Sequence, residues 1–166
     1  GLGVVYKRQI LTTFSTPEAP NIALFELYAE RCAAAGKPHN LDRSPFFRFV
    51  HVAEDGKVAR EYPREALTWC RDIGGYRRTI TQGDEINWDL DHWVRTRTET
   101  PASFESEAET TTYFGTPDEC VKWIRNLEQN HNVGYFGASM SFGSLGHAEV
   151  MKSMELFGKE VMPKLR

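Results

Sequence analysis

Three groups of side chains in this sequence have the chemistry of a functional site, and each lies in or just after a predicted β-strand. His51 lies near the end of the apolar run 46–53, where an imidazole can donate a hydrogen bond or act as a general acid or base. Ser139 and Ser141 lie in a second run, 133–141, and their hydroxyl groups can hydrogen-bond a ligand. The alternatives are a histidine whose hydrogen bonds are satisfied inside the strand, and serines that only fill a crowded interior.

The third group is the loop that follows the second of these runs. It consists of Phe142, Gly143, Ser144, Leu145 and Gly146 and leads into a predicted helix, whose free backbone amides can hold an anion. The alternative is that Gly143 and Gly146 only permit a tight turn.

Two tryptophans, Trp88 and Trp93, mark a further candidate within the polar segment 74–113. With the charged residues around them they can form a lid that keeps water away from an apolar substrate. The alternative is an amphipathic insertion packed on the exterior. The neighbouring Asp91 and His92 have no partner at metal-ligand spacing, so we predict no metal site.

Several other kinds of active site have no support in the sequence. GxSxG, HExxH, Walker and GxGxxG motifs are absent, which removes the basis for a hydrolase, a zinc protease, an NTPase or a Rossmann enzyme. Cys32, Cys70 and Cys120 are an odd number without a CxxC pair. They disfavour a disulfide scaffold or a zinc finger and favour a reducing, cytoplasmic environment.

The composition is that of an ordinary soluble domain. The 166 residues include 20 basic and 23 acidic side chains, for a net charge of −3, and 40% of the residues are hydrophobic. The scattered basic residues disfavour a nucleic-acid surface, and no apolar run approaches the roughly 20 residues that span a bilayer. The sequence starts at Gly1 and reads as a strand from Val4, so we expect it to be cut from a longer chain with further strand–helix units upstream.

The elements alternate between strands and helices. Strands are predicted at 4–11, 46–53 and 133–141, and helices over 21–35, 55–73 with a kink at Pro63, from Pro117 onward and from His147 to Pro163. This order predicts an α/β fold with right-handed crossovers and a parallel sheet. Because a complete (β/α)8 barrel needs eight strands and about 250 residues, a full barrel cannot fit. We interpret 74–113 as an insertion with a short helix near 84–95.

One helix start is especially clear. Thr116 is a predicted N-cap, Pro117 takes the first helical position, and Glu119 completes a capping box. Cys120 and Leu127 then begin and end an apolar stripe at helical spacing.

Four stretches carry a resemblance to a known family. They are YAERCAAAGKP (28–38), FRFVHVAED (47–55), GTPDECVKWIRNLE (115–128) and GYFGASMSFGSLGHAEVMKSMELFGKEVMPKLR (134–166). In order and spacing they resemble the C-terminal end of the bacterial luciferase-like monooxygenases, which are flavin-dependent (β/α)8 barrels. The resemblance implies that residues 1–166 are the C-terminal part of a TIM barrel with parallel strands, supplying roughly its sixth to eighth strands.

The resemblance also implies a chemistry. Reduced FMN, delivered by a separate flavin reductase, and O₂ would oxidise a small apolar or carbonyl-containing substrate. We also expect a homo-oligomer, because dimerisation can cover the open sheet edges of an incomplete barrel. In such a barrel the active groups lie at the carboxyl ends of strands, which makes His51 the catalytic candidate. The cofactor-binding candidates there are Ser139, Ser141, Phe142, Gly143 and Ser144.

Two alternatives remain open from the sequence. Related enzymes use a deazaflavin coenzyme and transfer hydride without O₂, and no residue here separates the two. The chain can also be a non-catalytic α/β module that binds no flavin by itself, because the family takes most of its flavin contacts from strands that precede these.

Overall fold

The computed structural model describes residues 17–39, 41, 44–81, 104–131 and 133–165. The elements there are α1 (Glu18–Ala34), β1 (Pro45–Val52), α2 (Gly56–Glu61), α3 (Arg64–Thr81), α4 (Phe104–Thr111), β2 (Thr112–Gly115), α5 (Pro117–His131), β3 (Tyr135–Ser139) and α6 (His147–Leu156). A π-helical turn, Phe157–Val161, and a 3-10 turn, Met162–Leu165, follow α6. The predicted strand 4–11 and the short helix near 84–95 lie outside the described residues.

The three strands form one parallel sheet in the order β2-β1-β3. This confirms the predicted α/β fold with parallel strands. In a barrel, neighbouring strands follow chain order, whereas here β3 pairs with β1 on the side opposite to β2, so the structure does not show part of a TIM barrel. One face of β1 is buried, whereas on the other face His51 is buried and Pro45, Phe47 and Phe49 are half-buried. The shorter β2 and β3 form the edges of the sheet.

Helices cover both faces of this sheet. One face packs against α1 and α5, and its core includes Phe25, Phe46, Val50, Tyr113, Cys120, Ile124 and Leu127. The other packs against α3 and the loop after β3, and its core includes Phe49, Ala66, Leu67, Phe114 and Phe142. The first connection leads from β1 to β2 on one side of it, and the second leads from β2 past β1 to β3 on the other side. Because these two connections run in opposite directions across the sheet, right-handed crossovers place them on opposite faces.

The break between α2 and α3 follows from the proline predicted to kink this segment. Asp55 caps α2 by accepting bonds from the backbone N–H groups of Lys57 and Val58, at 2.7 and 3.0 Å. The helix ends at Glu61, and α3 begins directly after Pro63. In the sequence, Tyr62, Ala66, Trp69 or Cys70, and Ile73 recur at helical intervals and predict the core face of this segment, and that prediction was partly wrong.

Tyr62, Trp69 and Ile73 are exposed, whereas Ala66 and Leu67 are buried and Cys70 packs beside them. The smaller side chains face the sheet because α3 lies close to the loop after β3. There, a Cβ atom on Gly143 would approach the Ala66 carbonyl carbon to 2.7 Å.

The capping box of α5 is confirmed. The Thr116 N–H donates to Glu119 Oε2 at 2.7 Å, and the Glu119 N–H donates to Thr116 Oγ1 at 3.4 Å. The bond from the Thr116 N–H is the main reason that the pKa of Glu119 lies below its ordinary value. The predicted stripe is buried as expected, at Cys120, Ile124 and Leu127.

Strand β2 was missed by the sequence analysis. It begins at Thr112, at the end of the span 74–113 that was interpreted as an insertion, and it ends at Gly115. That span also contains α4 and the last turns of α3. Only four residues, TYFG, form the strand, too few to show a period of two residues. The polar helix α4 precedes it without a turn signal. No helix among the described residues is both long and apolar enough to cross a membrane.

The burial of Cys120 leads to a testable prediction. Desolvation raises the pKa of its thiol to about 12, whereas Cys32 is partly exposed. We expect iodoacetamide at mildly alkaline pH to label Cys32 in the native chain and to leave Cys120 unlabelled, as read by peptide mass spectrometry. In guanidinium chloride both cysteines should label. Equal labelling rates in the native chain would contradict the packing of α5 on β1.

Candidate functional site

A crevice of about 590 Å³ lies at the carboxyl end of β1. Its walls are the end of β1 with the turn after it, the helix α2, and α6 with its π-helical turn. We call it the β1–α6 crevice. Open α/β sheets bind ligands outside the carboxyl ends of their parallel strands, which is where this crevice lies.

One buried hydrogen bond fixes the wall of the crevice to the sheet. Ser153 of α6 accepts a bond from the backbone N–H of Val52 at 2.8 Å, and both residues are buried. Val52 is the last residue of β1, so its N–H would otherwise lack a partner at the strand end. The position of α6 relative to β1 is therefore set by a side chain and not only by apolar contact.

His51 lines the crevice and is only 3% exposed. Its Nδ1 lies 3.0 Å from the backbone oxygen of Ala59. Because a carbonyl can only accept, Nδ1 carries the proton and Nε2 has the free lone pair. Nε2 has no partner among the described residues. The imidazole is held by Tyr62, which stacks on it with the ring centroids 5.6 Å apart, and by Phe114, whose ring is perpendicular to it with the centroids 6.4 Å apart.

The electrostatics keep this imidazole neutral. Burial lowers the pKa of His51 below its ordinary value, and it outweighs the opposite influence of the Ala59 carbonyl and the Glu149 carboxylate. A neutral histidine with a free Nε2 can accept a hydrogen bond or a proton from a ligand in the crevice. The predicted catalytic residue thus lies in a cavity, in an orientation that suits an acceptor.

The lowered pKa of His51 predicts how stability depends on pH. Above about pH 6.5 the side chain is neutral in both the folded and the unfolded chain. Below that value the unfolded chain binds the proton more readily, so the free energy of unfolding should fall and then level off below the folded pKa. In His51→Asn, whose amide can still donate to Ala59, this contribution should vanish. Urea unfolding of both chains at several pH values tests this, and parallel curves would contradict it.

Carboxylates dominate the charge of the crevice. They are Glu54, Asp55, Glu149, Glu155 and Glu160, against the two basic residues Lys152 and Lys159. Both lysines are paired with carboxylates of this set: Lys152 lies 2.6 Å from Glu149, and Lys159 lies 3.9 Å from Glu155. The crevice is therefore unsuited to a phosphate group and suited to a neutral or cationic ligand.

The predicted cofactor-binding residues lie elsewhere. None of them lines the β1–α6 crevice. Phe142 is buried, with its ring centroid 4.7 Å from that of Phe49 and 5.7 Å from that of Phe114. Ser141 and Ser144 are exposed in the loop, while Ser139 is half-buried in β3. Phe114 touches both His51 and Phe142, so the two predicted groups are neighbours through one shared ring.

The backbone conformation of this loop favours a glycine at position 143. Its φ angle is +56°, in the left-handed region, and it lies against the backbone of Ala66. The alternative that this glycine permits a tight turn therefore has direct support. Its use in holding a cofactor stays a prediction.

The described residues do not form a complete site for FMN. The crevice repels a phosphate, and the first turn of α6, next to the loop, carries the negative Glu149 and lacks a side-chain cap. The Phe142 ring is covered by other rings and offers no free face for a flavin to stack on. Most contacts to a flavin would have to come from other parts of the protein.

Two residues of the site were missed by the sequence analysis. Tyr62 was assigned to the core face of its helix, and Ser153 was not singled out. In the sequence, Val150, Met154, Phe157 and Val161 predict an apolar stripe on this helix, and Ser153 lies three residues after Val150 and is buried with it. A polar side chain buried beside such a stripe is a signal for a buried hydrogen bond.

Other predicted residues cannot be compared with the structure. Trp88, Trp93, Asp91 and His92 of the predicted lid lie outside the described residues. Within the part of the chain that the structure describes, no three His, Cys, Asp or Glu side chains are grouped so that they can hold a metal ion.

The fold resembles that of a solved protein. No family model and no curated protein matches the sequence. The structure is similar to the crystal structure of monooxygenase RslO1 from Streptomyces bottropensis, with a TM-score of 0.57 and 20% sequence identity. The similarity covers 92% of this chain and 40% of the other, so this chain spans two fifths of that length. At this level of identity the comparison establishes a common fold.

Proposed function

We propose, from a fold shared with a monooxygenase, that this chain is the C-terminal portion of a luciferase-like, flavin-dependent monooxygenase that oxidises a small organic substrate. The observation that carries the proposal is the fold similarity over 92% of the chain. The stretches that resemble the family support it from the sequence. GTPDE forms the capped start of α5, and FGSLGH connects β3 to α6.

Within this proposal the residues of this chain mainly position and shield the substrate. His51 accepts a hydrogen bond from it through Nε2, and the stacked Tyr62 covers one side of the imidazole. The flavin, when bound, supplies the redox chemistry with O₂. Most of its contacts come from segments outside the described residues, with Ser141 and Ser144 as the exposed candidates in the loop after β3.

A second candidate is a module that binds no flavin by itself. The surplus of carboxylates in the crevice and the covered ring of Phe142 favour it. Under this candidate the chain contributes a fold and an interaction surface, and catalysis belongs to another part of the protein or to another protein.

Flavin titrations and turnover assays separate these candidates. We expect that the 166-residue chain does not quench FMN fluorescence in a saturable way. The longest protein encoded by the gene should quench it with saturation. That protein should consume O₂ with chemically reduced FMN faster than the free flavin does. Anaerobic hydride transfer with a reduced deazaflavin, and no O₂ consumption, would instead assign the deazaflavin alternative. Failure to bind either coenzyme would overturn the proposal and favour the module.

A matched pair of variants tests the role of His51 in that protein. His51→Asn keeps a donor for the Ala59 carbonyl and removes the acceptor at Nε2, so we expect a loss of substrate turnover with unchanged FMN binding. Glu30→Gln, on the exposed side of α1, is the control and should leave both unchanged. Full turnover in His51→Asn would remove this residue from the site.

A further inference from the structure

The β1–α6 crevice has the features of a binding site for an organic cation. Its volume, about 590 Å³, lies within the range of small-molecule pockets. It contains a buried side chain with an unused polar atom, Nε2 of His51, which has no partner in the described ranges. Nε2 is not fully enclosed by protein, so it is open to the crevice, where a ligand that donates a hydrogen bond can reach it.

The ring next to this acceptor adds an aromatic surface. Tyr62 lines the crevice and is stacked on His51 with an angle of 17° between the ring planes. The side chain is 42% exposed, so part of it remains accessible to a ligand. An exposed tyrosine ring attracts both flat apolar groups and cations.

The charges on the wall of the crevice favour a positively charged ligand. Five carboxylates face two lysines, and each of those lysines already has a carboxylate partner. The Asp55 carboxylate stays ionised because it caps α2. An anion would meet a surplus of negative charge, whereas an ammonium group would be attracted and could also donate to Nε2.

We infer that the β1–α6 crevice binds a small aromatic amine, with its ammonium group among the carboxylates and near His51 and its ring against Tyr62. This is the crevice in which the proposed function places the substrate, so the inference rests on that function where it names the chemical class of the substrate. Binding of the amine itself needs no flavin and can be measured without a coenzyme.

Three probes of matched shape test the inference on the 166-residue chain at neutral pH. They are phenethylamine, which is cationic, 2-phenylethanol, which is neutral, and 3-phenylpropionate, which is anionic. We expect saturable binding of phenethylamine by calorimetry or by NMR shifts of His51, about tenfold tighter than that of the alcohol, which corresponds to about 1.4 kcal/mol. The anion should bind more weakly than the alcohol. Added salt should weaken the binding of the amine and leave that of the alcohol nearly unchanged.

Variants locate the site. Glu149→Gln and His51→Asn should each weaken phenethylamine binding several-fold, and Tyr62→Leu should weaken both the amine and the alcohol. Glu30→Gln, outside the crevice, should have no effect. No saturable binding of phenethylamine, or tighter binding of 3-phenylpropionate, would overturn the inference. The inference would also be overturned if none of the three crevice variants changed the affinity for phenethylamine although circular dichroism shows that they are folded.

Discussion

Replacement of Gly143 by alanine should lower the free energy of unfolding by about 3 kcal/mol. Two effects add at this position. The φ angle of +56° is strained for any residue with a side chain, and a Cβ atom would lie 2.7 Å from the carbonyl carbon and 2.9 Å from the Cα atom of Ala66. Those atoms belong to the backbone of α3 and cannot rotate away. Urea unfolding followed by circular dichroism measures the change.

Gly36 provides the matched control for this prediction. Its φ angle is +63°, almost the same, but an added Cβ atom would have no heavy atom within 4 Å. Gly36→Ala should therefore show only the backbone term, about 1 kcal/mol. The difference between the two variants isolates the close contact between the loop after β3 and α3. Equal losses in the two variants would mean that this contact is absent in solution.

Replacement of Arg48 by methionine should raise the free energy of unfolding, by about 1 kcal/mol or more. Arg48 is fully buried in the middle of β1, and burial lowers its pKa. Its Nη1 donates to the Phe47 carbonyl at 2.8 Å, and its guanidinium lies 4.2 Å from the centre of the Phe46 ring. Nε and Nη2 are buried and have no hydrogen-bond partner among the residues that the structure describes. Methionine has a similar volume. It carries no charge that must be desolvated and no N–H groups that require hydrogen-bond acceptors.

A substitution at Glu18 tests whether the stability effect of Arg48 depends on its charge. Its carboxylate accepts a bond from the Tyr113 hydroxyl and interacts favourably with Arg48 through space. Glu18→Gln keeps an acceptor for Tyr113 and removes the charge, so it should lower stability by about 1 kcal/mol when Arg48 is present and by less in Arg48→Met. A double-mutant cycle measures the difference. A loss of stability in Arg48→Met would show that the guanidinium has partners in solution that compensate its burial.

Features set by a few neighbouring residues were predictable from the sequence. The capping box at Thr116 and Glu119 and the helix break at Pro63 depend only on local backbone geometry, and both are confirmed. His51 was identified as a candidate because it lies near the end of a predicted strand, where the resemblance to a barrel enzyme places active groups. In the structure it lines a cavity at the carboxyl end of β1, and its catalytic role stays a prediction.

Features that depend on distant segments were not predictable in the same way. The four residues of β2 show no period, and only pairing with β1 makes them a strand. The side on which β3 pairs with β1 has no local signal either, so the order of the strands differs from that of a barrel. Ser153 became visible as part of the site only once α6 was seen to bond the end of β1.

The central position of β1 has a consequence for how the protein is made. Phe49 pairs with Thr112 on one side and with Ser139 on the other, so β1 leaves the ribosome long before either neighbour exists. Closing such long loops is slow compared with the formation of a helix. During translation β1 therefore stays exposed at both of its edges until β2 and β3 have been synthesised, and unpaired apolar edges of this kind are prone to aggregation and are protected by chaperones.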